Sequence, residues 1–96
     1  MINIGFGRDQ NKNVANRKKH KVSFEEAKSV FYDETARLIS DPDHSEDEDR
    51  FILLGLSSKL QVLVVAHTYR ASDEIIRIIS ARKAIKKERK FYERRE

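Results

Sequence analysis

Residues 51–79, FILLGLSSKLQVLVVAHTYRASDEIIRII, decide the fold of this chain. They contain three runs rich in apolar and β-branched residues, at 51–56, 60–68 and 75–79. The short polar segments SSK and ASD separate these runs. Apolar runs bounded by turn residues are typical of β-strands, and connections this short join antiparallel neighbours. The stretch therefore predicts a three-stranded antiparallel meander.

Further strands and helices are predicted before the meander. Ile2, Ile4 and Phe6 alternate with small or polar residues, which indicates a short strand, and another strand is predicted at Leu38 and Ile39. One helix is predicted from Asp9 to about His20. A second helix follows Ser23, where the spacing of Ser23 and Glu26 predicts a reciprocal capping box.

The pattern after the meander is helical. Five residues fall on one stripe with cations around it: Ala81, Ala84, Ile85, Glu88 and Tyr92. This pattern predicts a C-terminal helix that begins at Ala81. The predicted fold class is α+β, with two N-terminal helices and a C-terminal helix packed on an antiparallel β-meander. Because the central strands are apolar on both sides, the second face of the sheet must also be covered, by the last helix or by a partner chain.

The length and the charge distribution limit the classes of function. Ninety-six residues predict one domain over residues 1–96. Residues 41–50, DPDHSEDEDR, carry a local charge of −5, so the other 86 residues carry +9 in a chain of net charge +4. A basic body with one acidic loop indicates a polyanionic partner, although a basic domain without a nucleic-acid role is the alternative.

Several classes of function are not supported. The chain has no cysteine, which fits a reducing cytoplasm, and we expect neither a membrane span nor a signal peptide. No glycine-rich phosphate loop and no Gly-x-Ser-x-Gly elbow occurs. His44 lies among the acids of residues 41–49 in a spacing that matches no trusted metal pattern. We therefore predict a solvated acidic loop, with no metal and no other cofactor.

The candidate catalytic groups are cations and histidines. Arg77 interrupts the apolar run IIRII, which is costly unless the charge reaches solvent, a carboxylate or a ligand. Arginine suits bidentate binding of phosphate, while pairing with a buried glutamate is the structural alternative. His20 and His67 are candidate proton shuttles, and each is also explained as a structural or exposed histidine. In RNA the 2′-hydroxyl is an internal nucleophile, so a protein needs to add only a base, an acid and positive charge.

The chain resembles the BrnT family of toxins over nearly its whole length. The resemblance is carried by Asp9, Lys12 and Asn16, by KKHKVSFEEAKSVF at 18–31, by DPDHSEDEDR at 41–50 with Phe51 and Gly55, by LVVAHTYR at 63–70, and by IRIISARKA at 76–84 with Glu88, Arg89 and Tyr92. The chain departs from the usual family pattern at Arg8, where an aromatic residue is usual, at Lys21, where glycine is usual, and in the hairpin SSKLQ at 57–61, which often contains glycine.

The resemblance implies a fold similar to the RelE-type ribonuclease toxins and a metal-independent endoribonuclease that inhibits translation. It also implies a BrnA-like antitoxin with a ribbon-helix-helix domain, in a complex of two toxins and two antitoxins. Operator DNA would be contacted only through the antitoxin. RNA is the implied substrate, and no membrane is involved.

With this family in view, we predict the following residue roles. Arg77 and Arg82 clamp the scissile phosphate, His67 or His20 moves a proton, and Tyr92 or Glu88 is the second proton-transfer group. The predicted RNA-binding residues are Arg70, Arg50, Lys83, Lys86, Arg89, Lys19 and His20. Two alternatives stay open: a non-catalytic nucleic-acid-binding module, and an interaction protein whose basic surface receives an acidic antitoxin tail.

Overall fold

The computed structural model describes residues 5–7, 10–40, 50–70 and 75–94. The helices in this part are α1 (Gln10–His20), α2 (Phe24–Ser29) and α3 (Lys86–Glu93), with a 3-10 turn at Val30–Tyr32 directly after α2. The strands are β1 (Gly5–Phe6), β2 (Arg37–Ser40), β3 (Arg50–Leu56), β4 (Val62–Arg70) and β5 (Ile75–Lys83). The predicted α+β class is confirmed.

The strands form one sheet in the order β1-β5-β4-β3-β2. Neighbouring strands from β2 to β5 are antiparallel, as the predicted meander requires. Strand β1 instead pairs in parallel with β5, through Gly5 opposite Ile75 and Phe6 opposite Ile76. The sheet is therefore mixed, and the prediction of a purely antiparallel sheet is wrong at this edge.

The predicted start of the C-terminal helix at Ala81 is also wrong. Strand β5 continues to Lys83, and α3 begins only at Lys86. The backbone of β5 stays paired with β4 there, since Ala81 lies opposite Val65 and Arg82 opposite Val64. Tertiary pairing thus overrides a local pattern that suited a helix. Arg82 consequently belongs to a strand, not to the first turn of a helix.

The predicted capping box of α2 is half correct. The Ser23 hydroxyl accepts a hydrogen bond from the Glu26 amide at 3.1 Å. The buried Glu26 carboxylate, however, accepts hydrogen bonds from Ser57 Oγ at 2.6 Å and Gln61 Nε2 at 2.9 Å. Glu26 therefore connects α2 to the β3–β4 hairpin instead of closing its own helix end.

Both faces of the sheet are covered, in different ways. The face that packs on α1 and α2, the inner face, buries one apolar cluster with members from both helix and sheet, among them Val22, Phe24, Ala27, Val30, Leu63, Val65, Ile78 and Ala81. The opposite face, the α3 face, holds a smaller cluster of Leu54, Val64, Ala84 and Tyr92. The C-terminal helix thus covers part of the second face, one of the two covers expected from the sequence.

Helix α1 is fixed to β5 by one buried side chain, Asn16. Its Nδ2 donates to Ala81 O and to Val22 O, both at 2.8 Å, and its Oδ1 accepts from Ala81 N at 3.0 Å. Within the described residues β1 pairs with β5 only at Ile75 and Ile76. The Asn16 amide therefore satisfies the backbone of Ala81 as a neighbouring strand would.

Gly55 permits the closest approach between the sheet and the segment after α2. A Cβ atom on Gly55 would lie 2.8 Å from Val30 Cγ1 and 2.9 Å from Ala36 Cβ. Neither neighbour is the flexible end of a long side chain, so a larger residue would force the segment away from β3. The position requires glycine for space, not for backbone conformation.

Replacement of Asn16 by alanine is expected to lower the free energy of unfolding by about 2–4 kcal/mol, because buried backbone groups of Ala81 and Val22 lose their partners. Urea denaturation of the purified variant measures this. Asn11→Ala, an exposed change in the same helix, is the control and should stay within about 0.5 kcal/mol of the parent chain. Equal stability of the two variants would contradict the role of Asn16.

Lys21 ends α1 with φ 60°, in the left-handed region. Its amide donates to Arg17 O at 3.0 Å, which closes the helix end. Because a side chain is disfavoured in this conformation and glycine is not, Lys21→Gly should raise the free energy of unfolding by about 0.5–1 kcal/mol. Lys19→Gly, inside the helix, should lower it by about 1 kcal/mol. Thermal unfolding of both variants tests whether the two changes in the free energy of unfolding have opposite signs.

Candidate functional site

Arg50, Thr68 and Arg77 lie in one row across three adjacent strands. Arg50 is opposite Thr68 in the β3–β4 register, and Thr68 is opposite Arg77 in the β4–β5 register. Side chains alternate along a strand, and the buried residues Ile76 and Ile78 belong to the inner face. The row, called here the arginine row, therefore lies on the α3 face.

A β-bulge places Arg82 on the same face as Arg77. His67 is opposite Ile78 while Ala66 is opposite Ser80, so β5 has one extra residue, Ile79. The extra residue shifts the alternation by one, which brings Arg77 and Arg82 to one face although they are five positions apart. At about 3.3 Å per residue their Cα atoms are roughly 15 Å apart, so only their long side chains can approach a common ligand.

The charges of Arg50 and Arg77 are not neutralised by the described part of the chain. No carboxylate among residues 5–7, 10–40, 50–70 and 75–94 lies within 4.0 Å of either guanidinium. Arg77 passes close to the end of β1, since a Cβ on Gly7 would lie 3.8 Å from Arg77 Nε. Both side chains are only partly buried, so they present positive charge at an accessible sheet face.

Arg82 forms a bidentate ion pair with Glu88 of α3. The two bonds run from Nη1 to Oε1 at 2.8 Å and from Nη2 to Oε2 at 2.9 Å. Glu88 Oε1 also accepts from Ile85 N at 2.9 Å, at the start of α3. The hydrogen bonds from Arg82 outweigh the effect of burial and lower the pKa of Glu88, while Glu88 in turn raises the pKa of Arg82. Glu88 is therefore ionised at neutral pH.

His67 lies on the other side of the sheet from the arginines. It is fully buried against Phe31, with the two ring centroids 4.9 Å apart. Its Nδ1 lies 3.2 Å from Val65 O, and its Nε2 lies 3.2 Å from the Tyr69 hydroxyl. Burial lowers the pKa of His67 more than the bond to Val65 raises it, so the ring is neutral at physiological pH. The fold does not bring His67 to the arginine row.

Tyr92 anchors α3 to the segment before β2. Its buried hydroxyl donates to Asp33 Oδ2 at 2.6 Å and lies 2.9 Å from Thr35 Oγ1. Asp33 Oδ2 also accepts from Leu56 N at 2.8 Å. Burial raises the pKa of Asp33, but the hydrogen bonds from Leu56, Tyr92 and Thr35 together outweigh it and lower the pKa. Asp33 is not recognisable from the sequence, because no local pattern connects it to a tyrosine 59 positions later.

Arg37 strengthens the same anchor. Its guanidinium stacks on the Phe91 ring at 4.9 Å, and it donates hydrogen bonds to the carbonyl oxygens of Tyr92 and Arg94. Arg37 lies opposite Leu54, which belongs to the α3 face. This arginine holds the C-terminal end of α3, a role that no local sequence pattern indicates.

The remaining predicted RNA-binding residues fall into two groups. Lys83, Lys86 and Arg89 lie at the end of β5 and in α3. Lys19 and His20 end α1, on the inner side of the sheet. Arg70 ends β4 opposite Ile75, and its side chain is outside the described residues. The fold therefore separates Lys19 and His20 from the arginine row.

The described residues hold neither a cluster suited to a metal ion nor a helix suited to a membrane. No group of three or more potential ligands there is arranged to hold a metal ion. The acidic residues 41–49, with His44, lie outside the described part. No described helix has the length and apolar character needed to cross a bilayer.

An α+β fold with arginines across one sheet face, and no carboxylate within 4.0 Å of Arg50 or Arg77 in the described residues, defines a class of small basic proteins suited to polyanions. Residues 9–88 match the family described as "Ribonuclease toxin, BrnT, of type II toxin-antitoxin system". The match spans more than half of the chain, so the protein belongs to the BrnT family of ribonuclease toxins, and the resemblance seen in the sequence is confirmed.

A solved structure gives the same fold. The crystal structure of the Brucella abortus ribonuclease toxin BrnT superposes with a TM-score of 0.64 at 20% sequence identity, covering 90% of this chain and 100% of that one. At this level of identity the likeness concerns the fold alone. No curated protein matches the sequence.

Replacement of Glu88 by glutamine is expected to destabilise the protein by ~1 kcal/mol at neutral pH, because the bidentate pair with Arg82 is lost. Since the folded-state pKa of Glu88 lies below the ordinary 4.5, the stabilising effect is complete above that value. It disappears as the pH falls through the lowered pKa. Urea unfolding at neutral and acidic pH measures both effects.

Glu25→Gln is the matched control for this prediction. Glu25 pairs with Lys28 at 3.0 Å on the surface, its one ion pair among the described residues, with 83% of its side chain exposed. This variant should differ little from the parent chain at any pH. An equal loss at neutral pH in both variants would contradict the special role of the Arg82–Glu88 pair.

Proposed function

We propose that this toxin is a metal-independent endoribonuclease that cleaves RNA on the α3 face, at the arginine row, and inhibits translation in the cytoplasm. The observation that carries the proposal is the alignment of Arg50 and Arg77 on one sheet face with no carboxylate partner in the described chain. Membership of a ribonuclease toxin family supplies the substrate class.

The proposed chemistry uses the nucleophile that RNA already contains. The 2′-hydroxyl gives up its proton and attacks the adjacent phosphorus, and the bond to the 5′-oxygen breaks. The 5′-oxygen leaves as a hydroxyl by taking a proton from solvent, and a 2′,3′-cyclic phosphate forms. Arg77 and Arg50 bind the phosphate and stabilise the charge that develops on it. Arg82, on the same face, extends the cationic surface towards α3. No step requires a metal ion.

Glu88 is the group proposed to accept the proton of the 2′-hydroxyl. It is ionised at neutral pH because Arg82 holds its pKa low. A phosphate that binds Arg82 competes for the same guanidinium, which returns the pKa of Glu88 towards its ordinary value and makes it a better base. Arg82 and Glu88 thereby act as a coupled pair.

Tyr92 and His67 are better suited to positioning than to proton transfer. The Tyr92 hydroxyl is engaged by Asp33 and Thr35, and His67 is fully buried on the inner face. Tyr92 fixes the place of α3 and hence of Glu88, while His67 supports β4 beneath Thr68. Their proton-transfer roles stay predictions from the sequence.

We further propose that the antitoxin is a BrnA-like ribbon-helix-helix protein, in a complex of two toxins and two antitoxins that contacts operator DNA only through the antitoxin. A type II system implies such a protein partner. The proposed relation to the RelE-type fold has the same basis in the family resemblance. The +9 charge outside residues 41–50 suits an acidic antitoxin segment as well as RNA.

Arg77→Ala and Arg50→Ala should each reduce the rate of RNA cleavage by about 100-fold, since each removes one charge-stabilising donor. The assay follows cleavage of labelled RNA by the purified protein in the presence of EDTA. Arg17→Ala, which removes an exposed arginine from α1, is the matched control and should retain the parental rate. Circular dichroism of all three variants checks that each is folded.

Each alternative has its own outcome in this assay. Unchanged cleavage by folded Arg77→Ala would remove the arginine row from the mechanism. Loss of cleavage on addition of EDTA would refute metal independence. Salt-sensitive binding of RNA by the parent chain with no cut product would establish the non-catalytic module instead.

A further inference from the structure

A groove of about 500 Å³ lies between the β3–β4 hairpin and α3. Its apolar lining includes Leu56, Leu60, Val62 and Ala84. Leu56 opposite Val62 is the last pair of the β3–β4 register, while Arg50 opposite Thr68 is the first. The groove therefore lies at the other end of the sheet from the arginine row.

Leu60 at the rim of this groove is unfavourable for the isolated fold in two respects. Its side chain is 79% exposed, although leucine gains free energy on burial. Its backbone has φ 60°, where a side chain is disfavoured and glycine is not. A glycine would avoid both penalties. A strained residue that presents an apolar side chain to solvent indicates a function outside the fold itself.

The charges around the groove indicate what kind of partner it fits. Lys83 and Arg89 line it, Lys86 begins α3 beside it, and Glu93 is the single acid of the lining. Ile85, next in the chain to the lining residue Ala84, is 59% exposed and adds apolar surface. Apolar surface flanked by cations is complementary to an acidic segment that carries apolar side chains. A nucleic-acid backbone offers no such side chains.

We propose that this groove is the docking site of an acidic segment of the cognate antitoxin, and that Leu60 is its main apolar anchor on the toxin. The proposal rests on the antitoxin partner in the proposed function. Docking here leaves the arginine row on a separate part of the sheet, so the anchor contributes to complex formation and not to RNA cleavage.

The test compares binding with stability. The probe is the purified antitoxin encoded by the gene adjacent to that of the toxin, and calorimetry measures its affinity for the full-length chain. Leu60→Gly should weaken binding by about 10- to 100-fold. The same change should raise the melting temperature by about 4 °C, because the strained backbone is relieved. A purely structural leucine would lose stability on this replacement.

Two further variants test whether the loss of binding is specific to an apolar side chain at position 60. Leu60→Met retains an apolar side chain and should bind within about threefold of the parent. Leu38→Ala removes a leucine that is 52% exposed in β2, away from the groove, and should bind like the parent. RNA cleavage by Leu60→Gly without antitoxin should be unchanged.

Each negative result contradicts a different part of the proposal. If the parent chain does not bind the antitoxin, the partner in the proposed function is refuted. If Leu60→Gly binds as tightly as the parent, the groove is refuted while the partner stands. If light scattering shows a parental homodimer that Leu60→Gly abolishes, the groove belongs to a second copy of the chain and the proposal is overturned.

Discussion

The pairing of the Asn16 amide with the backbone of Ala81 is the contact on which the arrangement of the molecule depends. It satisfies the backbone of β5 on the edge away from β4, where no described strand lies beside Ala81, and it fixes α1 and the Val22 carbonyl at the same point. Ala81 is the second residue after the bulge at Ile79. The side chain of Asn16 thus stabilises the part of β5 that contains the bulge. With their present spacing, Arg77 and Arg82 lie on the same face of the sheet because of that bulge.

Helix α3 is held at both of its ends. Arg82 and Glu88 join its first turn to β5, and Tyr92 with Asp33 joins its last turn to the segment before β2. These attachments place α3 over Leu54, Val64 and Ala84 and not over the row that contains Arg50 and Arg77. The position of α3 therefore has two consequences: it leaves the arginine row accessible, and it forms one wall of the apolar groove.

The sequence predicted the strands and helices from their periodicity, and its errors have physical causes. Ala81 and Ala84 suit a helix by local pattern, yet their place is decided by backbone pairing with β4, a long-range contact. No motif marks the bulge, so the common face of Arg77 and Arg82 could not be derived, nor could the pairing of Arg82 with Glu88. The burial of His67 and the role of Asp33 likewise arise only from tertiary packing. The left-handed conformation of Lys21, in contrast, could be expected from the sequence, because the end of a helix favours a residue in that conformation.

The extra residue in β5 also constrains how the length of this strand can vary. Deletion of Ile79 would leave a regular ladder, with every remaining backbone group still able to pair with β4. Arg82 would then follow Arg77 by four positions and stay on the α3 face, and Ala81 would stay on the inner face. The five-position spacing of Arg77 and Arg82 therefore needs the bulge, whereas a strand one residue shorter would keep both arginines on the α3 face without it.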